Sequence, residues 1–266
     1  MTASDGSPDV KTRKRLRRPD ALARKIREQI VEAGLKPGDR LPNDWLAPEM
    51  VKVSRGTLRE ALKVLEFQGL ITSRSGPGGG VFVAAVEPGE AIRLLDNLFL
   101  FKPPSISDIY TLRKQLEPEL AASVAGHLTE TAFQSLQSCI RLYEDEPETA
   151  EQEYAQRLAE LDFHEELTRH CPNPILAFTC SFLLSLLRDM TVCRSIYWEK
   201  NPSLRETGLH YQVRLLRAIK VGDAELCRMI MRGHMIEAEK FMLERAAMRG
   251  RSAEEPTTAR TGDVSI

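Results

Sequence analysis

The sequence predicts a mainly α-helical chain in two parts. Three helices closed by a β-hairpin come first, and an all-helical bundle of about seven helices follows. Three observations predict this. Apolar residues recur at helical spacing over most of the 266 residues, a length comfortable for two domains. Only Leu70-Ile71-Thr72 and Val81-Phe82-Val83 read as β runs, and a Gly-rich loop joins them. Charge is also divided: residues 1–85 carry 16 Lys+Arg against 10 Asp+Glu, whereas residues 86–266 carry 21 against 28. A basic front on an acidic body points to a polyanion at the front alone.

The elements follow in order. Residues 1–19 read as a disordered basic arm, with six cations between Lys11 and Arg18 available for phosphate contacts. Asp20 is a plausible N-cap for a first helix carrying Leu22, Ile26 and Ile30 on one face. Pro37-Gly38 follows its end near Gly34, and a second helix is expected after Pro42, capped by Asn43. Ser54 caps a third helix whose apolar face is Leu58, Ala61, Leu62 and Leu65, and Gly69 stops it. The hairpin completes a domain over 20–85.

Residues 86–104 read as a linker carrying a first bundle helix, Glu90 to Phe101. A helical domain is expected over 105–249, with helices near 105–126, 129–145, 148–171, 174–193, 203–221 and 223–249. The breaks are Pro147, Pro172-Asn173-Pro174, Asn201-Pro202 and Gly222-Asp223. Residues 250–266 read as a disordered tail.

Three helices and a hairpin in about 65 residues, with net positive charge, describe a winged helix-turn-helix. Its third helix would enter the major groove of double-stranded DNA. The early exposed residues there are Ser54, Arg55, Gly56, Thr57 and Arg59: hydroxyls suit phosphates and base edges, and Arg reads guanine bidentately. Arg74 and Gly78 belong to the wing, where glycine lets the loop turn beside the DNA backbone.

Other classes are disfavoured. No apolar run approaches the ~20 residues of a membrane helix, and no apolar leader is present. The five Cys form no CxxC and read as reduced thiols in a cytoplasmic protein. The Gly76–Gly80 run lacks the GK[ST] ending of a phosphate loop, and neither GxSxG nor HExxH occurs.

The first domain resembles the GntR family of bacterial transcription regulators. The resemblance is carried by the stretches 34–42, from Gly34-Leu35-Lys36-Pro37 to Pro42, then 53–62, from Val53-Ser54-Arg55-Gly56 to Leu62, then 65–71, and by Gly80-Val81-Phe82-Val83. It departs at Asn43-Asp44-Trp45-Leu46-Ala47-Pro48, where the family has Ser/Thr-Glu-x-x-Leu-Ala. Pro48 would then sit inside the second helix, and Trp45 replaces a basic residue that often contacts DNA.

The second domain resembles the FCD effector domain of the FadR subfamily. The matches are Arg113 to Glu117 with Ala121-Ala122, Phe163-His164, Asn173-Pro174, His210 with Ala218-Ile219 and Gly222-Asp223, and His234.

In that family an Asp and three His commonly hold a divalent metal, the Asp four residues before the first His. Here the resemblance implies Glu160, His164, His210 and His234 as ligands. Residues four apart share a helix face, so Glu160 and His164 can meet one ion. Three imidazoles and a carboxylate suit Zn²⁺, Ni²⁺ or Mn²⁺. Arg113 is the expected effector residue, since a guanidinium can clamp a carboxylate, although an i,i+4 pair with Glu117 is equally permitted. The expectation is a cytoplasmic regulator, a homodimer on a palindromic operator, responding to a small carboxylate as a repressor released by it. The alternatives are a metal-free, acyl-CoA-responsive regulator and a metal-dependent enzyme.

Overall fold

The computed structural model of the chain describes residues 17–85, 87–141, 146–198 and 202–254. Most of the expected basic arm and of the expected tail therefore lies outside the described residues. The chain divides into two compact units, Met1–Ala91 and Ile92–Ile266.

In the first unit, helix α1 spans Arg18–Glu32 and begins two residues before the expected cap. Pro19 occupies its first turn, where a missing N–H costs nothing, and Asp20 lies in that turn rather than capping it. Leu22, Ala23, Ile26 and Ile30 form its buried face. The expected second helix is split: a 3-10 turn covers Asn43–Leu46, and α2 covers only Pro48–Val51. Pro48 thus starts a helix instead of interrupting one, which resolves its apparent misfit. Lys52 closes α2 in the left-handed region at φ 55°.

Helix α3, Arg55–Phe67, begins where the sequence places it. The Ser54 hydroxyl accepts a hydrogen bond from the Thr57 N–H at 3.1 Å. Leu58, Ala61 and Leu65 pack onto α1 in one apolar cluster with Leu41, Ile71, Val81 and Val83. Strands β1, Ile71–Arg74, and β2, Gly80–Val83, pair antiparallel with Ile71 opposite Val83.

A third short partner lies on the other edge of β2. Leu41 N–H donates to Val81 O at 2.8 Å, and Val83 N–H donates to Asp39 O at 2.8 Å. Gly79 holds the hairpin turn because a Cβ there would meet the Arg74 carbonyl oxygen at 2.5 Å.

The second unit contains the bundle. Helix α4, Pro88–Phe99, crosses the unit boundary and ends two residues earlier than expected. Then come α5, Ile106–Ser123, α6, Glu130–Arg141, and α7, Ala150–Arg169. Capping boxes start α5 at Ser105 and α7 at Thr149.

The single helix expected over 174–193 is two, α8, Pro174–Asp189, and α9, Thr191–Tyr197, bent by 73° at Met190. Helices α10, Pro202–Val221, and α11, Ala224–Glu254, complete the unit. Helix α11 runs five residues past its expected end. The described residues of the bundle therefore form eight helices rather than seven. No single helix among them is long and apolar enough to cross a membrane.

Two apolar clusters fill the bundle. One gathers Leu120, Leu136, Phe163, Leu167, Leu215 and Met231. The other gathers Ile109, Leu161, Leu184, Leu187, Ile196 and Met242. Along α5, Ile109 and Tyr110 belong to the second cluster, Leu120 and Ala121 to the first, and Arg113 and Glu117 lie between. His164 on α7 and His234 on α11 occupy the same intermediate level. A polar layer thus separates the two cores.

Ser54→Ala is expected to lower stability by about 1 kcal/mol through loss of the α3 cap, and Ser54→Asp to retain it. Thermal melts of the two variants check this, and equal losses would contradict the capping role.

Candidate functional sites

The first site is the exposed edge of α3. Ser54, Arg55, Gly56 and Arg59 are exposed, and Thr57 is half-buried with its hydroxyl 2.9 Å from that of Ser54. These five residues share the start of one helix, and neither Arg55 nor Arg59 forms an ion pair among the described residues. Arg74 lies on the exposed hairpin with its guanidinium 4.7 Å from the Phe82 ring centre, and Gly78 turns the loop at φ 77°. Trp45 is half-buried against the domain core. A bulky ring replacing a basic residue there serves packing.

The second site is the polar layer of the bundle. Glu117 on α5 is fully buried and accepts two hydrogen bonds, one from Arg113 Nε and one from His164 Nδ1. The i,i+4 pair that the sequence permitted is therefore formed, and its Arg113 lines a cavity. With Nδ1–H donating to Glu117, His164 Nε2 accepts from the Tyr211 hydroxyl at 2.6 Å. The Arg113 guanidinium also lies 4.9 Å from the Tyr110 ring centre.

A second set of charges faces this chain. Arg157 on α7 lies 3.1 Å from Glu153 and 3.6 Å from Glu160. Glu160 in turn lies 3.3 Å from His234 Nε2 on α11. The Tyr211 and His234 rings stack at 3.4 Å between centres, 11° from parallel. Tyr110, Tyr197, Phe241 and Met242 close the cavity. Its free space is about 20 Å³, room for a water or two.

Electrostatics keeps these groups in defined states. Burial pushes the Glu117 carboxyl up, but the Arg113 charge and the hydrogen bonds from His164 and Arg113 outweigh burial and hold it near 2. Burial likewise raises Glu160, and its hydrogen bond with His234 and the Arg157 charge bring it down to about 2. For His234 burial wins over Glu160 and lowers the imidazole to about 4, so it is neutral at pH 7. Burial would lower the Arg113 guanidinium, and Glu117 more than restores it. Burial raises the Tyr110 and Tyr197 hydroxyls, keeping both protonated.

The structure brings together Arg113, Glu160, His164 and His234, and leaves out His210. His210 lies on the exposed side of α10, while its neighbour Tyr211 is buried against His164 and His234. One residue is 100° of helix rotation, enough to exchange a solvent position for a core position.

The residues present do not fit the expected ion. The third imidazole is absent, and both nitrogens of His164 are engaged by Glu117 and Tyr211. Arg113 and Arg157 already neutralise the carboxylates. Among the described residues no three His, Cys, Asp or Glu converge as a metal-holding group. The donor set for Zn²⁺, Ni²⁺ or Mn²⁺ is thus not assembled.

Arg157, Tyr211 and Gln212 are the residues that sequence reading missed. Arg157 had one usable signal, carboxylates at i−4 and i+3. Gln212 is fully buried, and neither its Nε2 nor its Oε1 has a hydrogen-bond partner among the described residues.

A winged helix-turn-helix joined to a helical domain enclosing a charged cavity defines a DNA-binding protein with a ligand-receiving domain. Comparison with known proteins carries this to a family. Residues 19–83 match the model of the bacterial regulatory proteins of the gntR family, and residues 108–237 match the FCD domain.

The chain is 27% identical to the HTH-type transcriptional regulator LutR of Bacillus subtilis over 215 residues, covering 80% of this chain and 95% of that one. It is 30% identical to the Glc operon transcriptional activator of Escherichia coli K12 over 179 residues, 64% of this chain and 68% of that one. The solved structure of Streptococcus agalactiae GntR matches with a TM-score of 0.58 at 21% identity, over 84% of this chain and 99% of that one. The chain belongs to the GntR family. It is a DNA-binding transcriptional regulator with an FCD effector-binding domain, and its domains are those of a non-enzymatic family.

Because folded His234 titrates near 4 against an ordinary 6.5, the unfolded chain takes up that proton first as pH falls. This group's contribution to stability is full above about pH 6.5 and is lost as pH falls toward 4. Glu117 and Glu160, held near 2, add a further loss below about pH 4.5. Melting temperature should therefore fall between pH 7 and 4.5, and fall less in His234→Gln. An equal loss in that variant would contradict the assignment to His234.

Proposed function

We propose that the chain acts as a homodimer in the cytoplasm, on a short palindromic operator, and that a small carboxylate bound in the FCD cavity releases it from DNA. The observation that carries this reading is a small cavity with the buried Arg113 and Arg157 in its wall. Buried guanidiniums are the strongest side-chain partners for a carboxylate. The small free space favours a compact acid over an acyl-CoA. Ligand binding would shift the population between states of different DNA affinity.

On the DNA side, Ser54, Arg55, Gly56, Thr57 and Arg59 are proposed to meet the operator in the major groove, with Arg74 and Gly78 beside its backbone. A two-fold dimer matches a two-fold site.

Arg55→Ala or Arg59→Ala should weaken operator binding by at least tenfold at fixed salt, with unchanged melting temperature. Fluorescence anisotropy with labelled operator checks this, and wild-type affinity in both variants would sink the assignment. For the ligand side, L-lactate and glycolate are titrated into the wild-type protein–operator complex and into that of Arg113→Lys. Release from the wild type, lost in the variant because one ammonium cannot reproduce the guanidinium fork, is the expected result. Equal release in both would remove Arg113 from the effector site.

A further inference from the structure

The cationic and imidazole groups that line the cavity described above already carry carboxylates of the chain. Glu117 and Glu160 sit on the very groups, Arg113, Arg157, His164 and His234, that an incoming acid would use. Only about 20 Å³ is free, less than any organic acid needs. A ligand carboxylate therefore enters only by exchange with a resident one.

Exposure identifies which resident leaves. The Glu117 side chain is 0% exposed and is held by two hydrogen bonds, whereas that of Glu160 is 14% exposed. Glu160 also makes the longer contacts, 3.3 Å to His234 and 3.6 Å to Arg157. Its carboxylate has a path toward solvent, and Arg157 keeps Glu153 when it leaves, while moving Glu117 would strand Arg113 in the core.

We propose that Glu160 is a built-in counter-ion and not a metal ligand, and that a small monocarboxylate occupies this cavity by taking its place on Arg157 and His234, with no metal ion. The exchange conserves charge, because one carboxylate leaves the guanidinium as another arrives. No new buried charge is created, so the cost of desolvating the ligand is offset by rehydrating Glu160. Binding also replaces the Glu160–His234 link between α7 and α11 by one that runs through the ligand. This inference rests on the reading that the cavity is the effector site.

Chemical rescue tests it. Glu160→Ala removes Cγ, Cδ and both oxygens, the four heavy atoms of acetate, and leaves Arg157 and His234 facing a hole of that shape. Sodium acetate should raise the melting temperature of the variant saturably, by about 3–6 °C at tenfold excess over Kd, compared with sodium chloride at equal ionic strength. The wild type should not respond to that degree. Adding Arg157→Met should abolish the rise. Elemental analysis of both proteins, purified without chelator, should show no stoichiometric transition metal.

About one metal ion per wild-type chain, lost in Glu160→Ala, would overturn the proposal. So would an acetate response equal in wild type and variant, or absent from both. Glu160→Ser, which leaves a hydroxyl for His234, serves as the same test if the alanine variant fails to fold. Acetate rescue without any carboxylate effect on operator binding would retire the effector reading while leaving the metal-free carboxylate site standing.

Discussion

Glu117 is the group on which the bundle depends. It is an ionised carboxylate inside a protein core, where an unpaired charge would cost several kcal/mol. Its partners are therefore obligatory, and they come from different helices. Arg113 lies one turn back on α5, His164 comes from α7, and Tyr211 from α10 closes the chain through His164. The stacked ring of His234 brings in α11. One buried charge thus specifies the rotation of four helices, because each must present one particular residue at one level.

That constraint explains why two apolar clusters exist in place of one. A continuous core of Leu, Phe and Met across this level would be easier to stabilise, since replacing buried ion pairs by well-packed apolar groups is often neutral or favourable. The chain instead places Arg113, Glu117, Arg157, Glu160, His164 and His234 between Leu120 and Phe163 on one side and Ile109 and Met242 on the other. A layer of matched charges can exchange partners, and an apolar layer cannot. The cost falls on stability, and the gain, under the exchange proposed above, is a core that can respond to an anion.

Much of this was legible in the sequence, and the failures have physical reasons. The Ser54 cap, the hairpin and the exposed start of α3 follow from local rules, because a capping hydroxyl and a Gly-rich turn act within a few residues. The strand-like pairing of Asp39 to Leu41 with β2 was hidden because it is tertiary: no alternation marks three residues. The break at Met190 was hidden because no Pro or Gly signals it. His210 was misplaced by a single residue of helix phase, which the family pattern alone did not fix. Arg157 reads in sequence as another charge on a polar helix, and only the fold reveals that α7 buries its polar residues Glu153, Arg157 and His164.

The same distinction separates the two kinds of arginine in this chain. In the bundle, Arg113, Arg157, Arg188 and Arg228 each lie against a carboxylate, and their charge is spent inside the molecule. On α3, Arg55 and Arg59 are exposed with no carboxylate partner among the described residues. A guanidinium without an internal counter-ion keeps its long-range field and its full set of donors, as phosphate and base-edge contacts require. The split between a basic front and an acidic body is therefore only the outline of the arrangement. What distinguishes these two sets of arginines is whether the positive charge is answered from within the chain or left for a partner to answer.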